Sequence, residues 1–290
     1  MRVGVAIATL GRPQEAAQLV RQLALQTAPP DVIVLSVTKA EDVGGLAVEP
    51  GLEIVYGEAG LCQQRNRALE VLSDRTDLVV FFDDDYLPSV LALERMRAFF
   101  ERHPEVVGAT GRLLADGINS SGISLDAALE LITDYDAGPT SDLAIRAQLK
   151  GLYGCNMAYR TSAIGEERFD ENLPLYGWQE DIDFAARLLP RGRLVKTHAF
   201  AGVHRGVKGA RSSGVRFGYM QVINPIYMAR KGTMQPRYAA KVLFKNLLAN
   251  HLKMFRPEPW VDRSGRAQGN WIALADVARA RIDPRRVLML

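Results

Sequence analysis

The sequence has few cysteines and no long apolar run. Its two cysteines, Cys62 and Cys155, lie far apart in a chain of 290 residues and form no metal-binding spacing. Two isolated thiols exclude a disulfide framework and fit a reducing cytoplasm. No apolar run reaches the roughly 18–20 residues that a membrane-spanning helix needs. The N-terminal MRVGVAIATLGRP also lacks the long apolar stretch and the cleavage site of a signal peptide. We therefore expect a cytoplasmic protein.

The composition is that of a globular protein, but its charge is unevenly distributed. The chain is 48% hydrophobic and 24% charged, which excludes disordered and fibrous classes. The net charge is +3, yet residues 216–290 contain fourteen Lys or Arg and only four Asp or Glu. The first 215 residues are therefore net negative. Such asymmetry suggests that the C-terminal segment meets an anionic partner.

The first third of the chain alternates strand and helix patterns. Short apolar runs rich in β-branched residues predict strands at RVGVAIAT, DVIVLSVT, LEIVYG and DLVVFF. Apolar residues at helical spacing predict helices at 13–26, 61–72, 88–103 and 179–189. Loops are predicted at 117–122, 137–141 and 203–218, and the last 75 residues read as mostly helical. The alternation implies a parallel sheet covered by helices, whose ligands bind beyond the carboxyl ends of the strands.

Three consecutive aspartates end the most hydrophobic strand, in VVFFDDDYLP at 79–88. Asp83, Asp84 and Asp85 tolerate one another if a divalent cation neutralises them. Carboxylate oxygens favour Mg²⁺ or Mn²⁺, and such ions share their remaining coordination sites with substrate phosphates. The alternative is a solvated acidic turn that complements the dipole of a following helix.

Two further polar clusters lie at predicted helix starts. GWQEDIDF at 177–184 places three acids there, and they either cap the helix or include a general base beside a ring-stacking Trp. In LCQQRNRAL, Arg65 and Asn66 either lie on a solvated helix face or contact a nucleotide. The residues alone leave both alternatives open.

His204 is the second residue of a Gly-rich basic stretch, VHRGVKGARSS. A lone His is more often structural than functional. A neutral imidazole can nevertheless complete a metal site, and the cations of Arg205, Lys208 and Arg211 can hold a diphosphate.

Taken in order, these motifs resemble those of the family-2 glycosyltransferases of the GT-A fold. ATLGRP resembles the nucleotide-binding turn of that family, QQRNRAL its xxRNxA segment and FFDDD its DXD motif. GCNMAYR, RFDENL and GWQEDIDF resemble the acceptor-side run that ends in the ED motif. His204 stands where many members carry a metal-binding His. The resemblance covers roughly residues 1–215, and the ordered set is more specific than any single motif.

The resemblance implies a fold and a reaction. It implies an α/β catalytic domain of GT-A type at 1–215, with a nucleotide-sugar-binding half at 1–115 and an acceptor-binding half at 116–215, then a basic helical region at 216–290. It further implies inverting transfer of a sugar from a UDP-, dTDP- or GDP-sugar to a hydroxyl of a glycan or lipid-linked acceptor, in polysaccharide or glycoconjugate biosynthesis. The implied cofactor is Mn²⁺ or Mg²⁺, and no nucleic-acid partner is expected.

The resemblance also assigns roles to matching residues. Those implied to bind the nucleotide-sugar are Thr9, Arg12, Arg65, Asn66, Asp83 and Asp84. Those implied to hold the metal are Asp85, Asp83 and His204. Asp181 is the implied base with Glu180 beside it, Trp178 and Asn156 line the sugar and acceptor sites, and Arg205, Lys208 and Arg211 hold the diphosphate. One departure concerns the second strand, VIVLSVTKAED, which lacks the Asp that often follows it. Ser36 or Thr38 would substitute, so the nucleobase stays open.

Three other functions fit parts of the pattern. A phosphatase of the haloacid dehalogenase type also places Asp-x-Asp after a strand, but near the N-terminus and without the Tyr86-Leu87-Pro88 that follows here. A nucleotidyltransferase usually opens with a Gly-rich basic loop, and ATLGRP is too sparse for one. A non-catalytic nucleotide-sugar binder would not need both Asp85 and Asp181.

Residues 237–256, RYAAKVLFKNLLANHLKMFR, predict a basic amphipathic helix. Its lysines share one side, and its apolar residues lie largely on another. The lysines are Lys241, Lys245 and Lys253, and the apolar residues are Ala240, Leu243, Phe244, Leu247 and Phe255. Such a helix either packs on the catalytic domain with its lysines solvated or lies on an anionic membrane surface. We expect peripheral attachment to the inner face of the membrane.

Overall fold

The computed structural model describes residues 1–46, 50–209 and 213–290, which form two compact units. Unit 1 comprises Met1–Ala59, Gln63–Arg168 and Leu188–Ala210, and unit 2 comprises Gly60–Cys62, Phe169–Arg187 and Arg211–Leu290. Unit 1 contains the sheet, and unit 2 is helical. The predicted domains at 1–215 and 216–290 stay a prediction.

Unit 1 is built on a mixed sheet of nine strands within the described residues, in the order β3-β2-β1-β4-β8-β6-β9-β5, with β7 paired to β9. The strands are β1 (Val3–Ala8), β2 (Val32–Val37), β3 (Leu52–Tyr56), β4 (Leu78–Asp83), β5 (Tyr86–Pro88), β6 (Val106–Asp116), β7 (Ile145–Leu149), β8 (Asn156–Arg160) and β9 (Arg193–His204). The four strands predicted from apolar runs are β1 to β4. The predicted α/β class is therefore confirmed.

The first four strands are parallel, because each is joined to the next by a crossover. In the register of the sheet, Ala8 of β1 lies opposite both Ser36 of β2 and Asp83 of β4. These three strands therefore end at one edge. The side chains that follow them, including Asp84 and Asp85, emerge at this carboxyl edge, where open α/β sheets bind ligands.

The other half of the sheet is mixed, and its pairings determine where His204 lies. β8 runs antiparallel to both β4 and β6, whereas β6 and β9 are parallel. At the end of β9, His204 is the register partner of Asp116 in β6 and of Tyr86 in β5. His204 is therefore brought to the edge where the aspartates emerge.

Helices cover the sheet of unit 1 and bury its apolar side chains. They are α1 (Pro13–Ala24), α2 (Leu61–Leu72), whose first residues belong to unit 2, α3 (Ala92–Arg102), α4 (Leu125–Asp136) and α5 (Thr161–Ile164). In α1, Pro13 occupies the first turn, where its missing N–H costs nothing. Ala16, Leu19 and Leu23 then recur at helical spacing and are fully buried against the core.

Two element boundaries differ from the sequence prediction. The helix predicted to start at Pro88 begins at Ala92, because Tyr86–Pro88 instead pairs with β9 as an edge strand, where a proline is tolerated. The loop predicted at 203–218 is shorter, because β9 extends through His204 and the next helix begins at Gly214. Both errors arise from long-range pairing that local sequence does not reveal.

Unit 2 is a set of helices with its own core. They are α6 (Glu180–Leu188), α7 (Gly214–Lys231), α8 (Pro236–Lys253) and α9 (Arg263–Ala278). Tyr219, Ile223 and Ala273 are fully buried at the centre of this core. No helix within the described residues combines the length and apolarity needed to cross a bilayer.

Candidate metal centre and active site

Asp83, Asp85 and His204 converge at the carboxyl edge of the sheet. Each offers one ligand atom, and these atoms all lie within 4.8 Å of one another. His204 Nε2 lies 3.4 Å from Asp85 Oδ1 and 4.0 Å from a carboxylate oxygen of Asp83. The DXD motif and the end of β9, separated by more than a hundred residues, therefore meet at one point.

Each of these three side chains is held through its other polar atom. Asp83 Oδ1 accepts a hydrogen bond from Arg65 at 3.1 Å. Asp85 Oδ2 accepts from the Val207 backbone N–H at 2.8 Å and pairs with Arg12 at 3.1 Å. His204 Nδ1 lies 2.9 Å from Asp116 Oδ1. The remaining ligand atoms are thereby oriented toward a common point, which is how proteins prepare a metal site.

This donor set fits a divalent cation. Two carboxylate oxygens and one imidazole nitrogen match the ligands of Mn²⁺, and the carboxylates also suit Mg²⁺. His204 Nδ1 is occupied by Asp116, so Nε2 is the nitrogen that can coordinate. Asp83 is partly exposed, whereas Asp85 and His204 are buried, so the group is open on one side only.

The electrostatics of the site show how strongly these groups are coupled. Burial disfavours the charge of Asp85, but the hydrogen bond from His204 and the charge of Arg12 lower its pKa overall. Burial likewise disfavours an imidazolium, but Asp116 and Asp85 raise the pKa of His204 to about 10. These two carboxylates favour the imidazolium, so a metal that binds Nε2 must displace its proton.

Asp84 is fixed by two residues of the turn after β1. Its Oδ2 accepts a 2.7 Å hydrogen bond from Thr9 Oγ1, and its Oδ1 lies 2.5 Å from Arg12. Burial raises the pKa of Asp84 to about 7, against the attraction of Arg12. Asp84 is 1% exposed. It ties the β1 turn to the end of β4, and its predicted contact with the nucleotide-sugar stays a prediction.

The other predicted nucleotide and sugar residues of unit 1 are almost entirely buried. Arg65 bridges Asp83 and the Gly154 carbonyl oxygen, both at 3.1 Å. Asn66 is buried beside it in α2. Asn156 is fully buried, and its side chain bonds to Thr110 Oγ1 at 2.5 Å. Arg65 thus reaches the metal centre directly, whereas a sugar contact by Asn156 stays a prediction.

The loop after β9 is held by α1 and by the turn that follows β6. Arg205 donates to Gln18 Oε1 at 2.6 Å, and Lys208 Nζ donates to the Gly117 carbonyl oxygen at 2.9 Å. Gly117 must be a glycine, because a Cβ there would lie 2.0 Å from the Arg205 carbonyl oxygen. Arg205 and Lys208 therefore lie next to the His204 strand end. Arg211, the third predicted diphosphate residue, lies outside the described residues.

In unit 2, the predicted base is presented by a strained turn. Leu175, Gly177 and Gln179 all have positive φ, at 59°, 58° and 75°. Such a conformation is costly for Leu and Gln and is concentrated at functional sites. Glu180 and Asp181 follow directly as the first residues of α6. Trp178, within the turn, packs edge-on to Phe217 with ring centroids 6.2 Å apart.

The third acid of this helix start is structural. Asp183 is fully buried. Its Oδ1 accepts from Thr233 Oγ1 at 2.6 Å, and its Oδ2 binds Lys231 at 2.9 Å and Arg187 at 3.2 Å. Asp183 is thus fully enclosed in a cluster of ion pairs with Lys231 and Arg187.

Sequence reasoning missed the residues that support the site. Asp116 and Tyr153 are the clearest, since Tyr153 donates to Asp116 Oδ2 at 3.0 Å while Oδ1 orients His204. Gln64 Nε2 donates hydrogen bonds to the carbonyl oxygens of Thr9 and Ser36, and so links the ends of β1 and β2. For Asp116, the signal was available, because RLLAD ends a strand in an acid just as VVFFD does.

The end of β2 is organised by an acid that the sequence analysis did not single out. Asp42 Oδ1 accepts from the Gly11 backbone N–H, and Oδ2 accepts from Thr38 Oγ1, both at 2.7 Å. Thr38 is thus engaged by Asp42, and Ser36 is fully buried. Burial disfavours the charge of Asp42, but these hydrogen bonds lower its pKa overall.

Solved structures that resemble the whole chain are glycosyltransferases of GT-A-like fold. The crystal structure of S. aureus TarS 1-349 in complex with UDP-GlcNAc has a TM-score of 0.57 at 16% identity, over 99% of this chain and 83% of that chain. The mannosyltransferase PcManGT from Pyrobaculum calidifontis, in complex with GDP-Man and Mn²⁺, has a TM-score of 0.53 at 16% identity, over 99% of this chain and 78% of that chain. No family model and no curated protein matches the chain. At these identities the likeness establishes the GT-A fold.

Proposed function

We propose that this chain is a metal-dependent, inverting glycosyltransferase of family 2. It transfers a sugar from a UDP-, dTDP- or GDP-linked donor to a hydroxyl of a glycan or lipid-linked acceptor, in the biosynthesis of a polysaccharide or glycoconjugate. The observation that carries the proposal is the Asp83–Asp85–His204 group, at the ligand-binding edge of a fold shared with glycosyltransferases. The neighbours with UDP-GlcNAc and with GDP-Man and Mn²⁺ support a nucleotide-sugar donor and a divalent cation.

The residues of unit 1 fit the donor. The leaving group of the reaction is a nucleoside diphosphate, whose developing negative charge must be stabilised. Arg12 forms an ion pair with Asp84, and Arg65 forms one with Asp83. Both supply guanidinium donors suited to phosphate oxygens. Mn²⁺ or Mg²⁺, held by Asp85, Asp83 and His204, would neutralise the diphosphate when bound. Arg205 and Lys208 would add positive charge beside it.

The acceptor requires a base. Inversion at the anomeric carbon requires that the acceptor hydroxyl lose its proton to a carboxylate as it attacks. Asp181 is the proposed base, with Glu180 beside it and Trp178 offering a ring for sugar stacking. The strained turn at Leu175–Gln179 supports this assignment, since backbone strain persists where the surroundings impose it for a purpose.

The donor is identified by a thermal-shift screen with Mn²⁺. UDP, dTDP and GDP are tested with and without the metal, because a ligand that binds only the native state raises apparent stability by mass action. We expect one nucleotide to give a shift that depends on the metal and disappears in Asp85→Ala. If no nucleoside diphosphate gave a metal-dependent shift, the proposal would be wrong.

The catalytic role is tested with Asp181→Asn, assayed with the donor found by the screen. Loss of a general base typically lowers turnover by roughly 10²–10⁴-fold. Donor binding should be retained, because Asp181 acts on the acceptor. Asp74→Asn, an exposed acid of unit 1, is the matched control and should be fully active. Near-normal turnover of Asp181→Asn would overturn the assignment, and absence of transfer in the wild type despite donor binding would indicate a non-catalytic binder.

We also propose that the basic C-terminal region attaches the protein peripherally to an anionic membrane surface at the cytoplasmic face. The excess of positive charge in residues 216–290 supports this.

A further inference from the structure

Helix α8 carries an exposed apolar stripe. Phe244, Leu248 and Leu252 follow one another at intervals of four residues and so share one side of the helix, and Phe255 lies in the turn that follows. They are 66%, 47%, 64% and 81% exposed, in that order. We call these four residues the α8 stripe. Singly exposed apolar residues are common on proteins, but a contiguous set marks an interaction site.

The stripe is not the side by which α8 is anchored. Leu243 and Leu247 pack into the core of unit 2, and Ala239 and Asn250 are buried. Helical spacing predicts that Phe244 and Phe255 share one apolar side with Leu243 and Leu247. The structure separates them, so α8 has one apolar side for the core and another that faces solvent.

Basic side chains border the stripe. Arg237, Lys241 and Lys245 are exposed, and none forms an ion pair with another described residue. Lys253 is also exposed and pairs with Glu258 at 2.6 Å. Residues 236–257 contain five Lys or Arg and no Asp or Glu. The stripe is therefore an apolar surface bordered mainly by positive charge.

An exposed tryptophan extends the apolar surface onto α9. Trp271 is 63% exposed, and its ring packs edge-on against His251 with centroids 5.6 Å apart. His251 precedes Phe255 by one helical turn, so Trp271 lies alongside the stripe. Tryptophan favours the boundary between the acyl and headgroup regions of a bilayer, because its ring is apolar and its N–H is polar.

We propose that the α8 stripe, with Trp271, inserts into the surface of a membrane rich in anionic lipids, while Arg237, Lys241 and Lys245 bind the headgroup phosphates. Apolar residues bordered by cations are the pattern of helices that lie in a bilayer interface. A second copy of the chain is a poorer occupant, because two such helices would bring like charges together. This docking mode specifies the attachment proposed above and does not depend on sugar transfer.

Flotation of the full chain with vesicles tests the proposal. The vesicles are phosphatidylcholine alone or an equal mixture with phosphatidylglycerol. We expect binding to the anionic vesicles only, and weaker binding at high salt because the headgroup contacts are screened. Lys241→Gln/Lys245→Gln should weaken binding roughly 30-fold, since each basic residue near the surface contributes about a factor of five. Phe244→Ser/Leu252→Ser should weaken it roughly 10-fold or more.

Matched controls come from unit 1. Leu25→Ser/Tyr56→Ser removes two apolar side chains that are equally exposed, at 64% and 56%. Arg102→Gln/Lys150→Gln removes two exposed cations. Both control variants should float like the wild type. Quenching of tryptophan fluorescence by brominated lipid should also decrease in Trp271→Phe.

Three results would overturn the proposal. They are absence of wild-type binding to anionic vesicles, equal binding by the stripe variants and their controls, and a change of oligomeric state in Phe244→Ser/Leu252→Ser measured by light scattering without lipid. The last result would identify the stripe as a contact between copies. Asp85→Ala should bind vesicles normally, and the stripe variants should bind the donor normally. Failure of the donor site and failure of the membrane surface are therefore separable.

Discussion

Two clusters of acids, one in each unit, differ in how their oxygens are used. In unit 2, Asp170 and Asp183 share Lys231, which lies 2.6 Å and 2.9 Å from them. Tyr227 donates to Asp170, and Thr233 donates to Asp183. In unit 1, each of the acids Asp83 and Asp85 has one oxygen held by a cation of the chain and the other turned toward His204.

The difference distinguishes a structural cluster from a binding site. Burial and ion pairing are common to both clusters, so neither property identifies function by itself. In unit 2, donors approach both oxygens of each acid, and the cluster is complete as it stands. In unit 1, the ligand atoms of Asp83, Asp85 and His204 face one another, so a divalent cation can replace the proton of His204 between the two carboxylates. Four variants or conditions separate these two cases.

The largest effect is expected from Asp183→Asn, which breaks the ion-pair cluster of unit 2. Removing one partner of a buried ion pair usually costs about 3–5 kcal/mol, because the other partner stays buried without its counter-charge. We expect a loss of about 3 kcal/mol in the free energy of unfolding, since Lys231 retains Asp170. Urea denaturation measures the loss.

The control for this variant is metal binding. Folded Asp183→Asn should bind Mn²⁺ with wild-type affinity, because Asp183 is not among the converging ligands. If the variant were as stable as the wild type, Asp183 would not support unit 2 through its ion pairs.

The second largest effect is expected from adding the metal. Mn²⁺ at 100 times its dissociation constant should raise the free energy of unfolding by about 2.7 kcal/mol, if it binds only the native state. Asp85→Ala should abolish the gain, whereas Asp183→Asn should preserve it on a lower baseline. Thermal unfolding with a titration of Mn²⁺ measures both. A gain that survives in Asp85→Ala would place the ion elsewhere.

Much of the metal centre could be predicted because its parts follow strands. An apolar run that ends in acids predicts a buried strand whose carboxylates emerge at the ligand edge, and β4 with Asp83 to Asp85 has this arrangement. His204 was named from its motif order. Its place beside Asp85 depends on the pairing of β9 with β5 and β6, which joins segments that are far apart in the sequence.

The contacts that the supporting residues make could not be predicted for the same reason. Arg12 was expected to contact a nucleotide, but its contacts with Asp84 and Asp85 require the β1 turn to meet the end of β4 in three dimensions. Similarly, helical spacing alone grouped Phe244 with Leu247, although only tertiary packing decides which side of α8 is buried.

A smaller effect is expected from Asp116→Asn, which alters the support of the metal centre. Loss of a hydrogen-bond partner behind a ligating histidine typically weakens metal affinity roughly 10–100-fold, because the ring is less well oriented and less basic. Titration of free Mn²⁺ by electron paramagnetic resonance measures the affinity. Tyr153→Phe should have a weaker effect in the same direction, since Tyr153 acts on Asp116. Asp126→Asn, at an exposed acid, is the control. Equal Mn²⁺ affinity of Asp116→Asn and Asp126→Asn would exclude a role of Asp116 in positioning His204.

The smallest effect is expected from lowering the pH to protonate Asp170 in the ion-pair cluster of unit 2. Burial alone would raise the pKa of Asp170, but hydrogen bonds from Lys231 and Tyr227 lower it to about 2. A carboxyl whose pKa is lowered by folding stabilises the folded state at pH values above its unfolded pKa of about 4. This contribution is lost as the pH falls toward the pKa of the folded state. The stability difference between the wild type and Asp170→Asn should therefore be constant at pH values above about 5 and shrink below about 4. Urea denaturation at successive pH values measures this difference, and a difference that did not shrink in acid would mean that Asp170 stabilises unit 2 through something other than its charge.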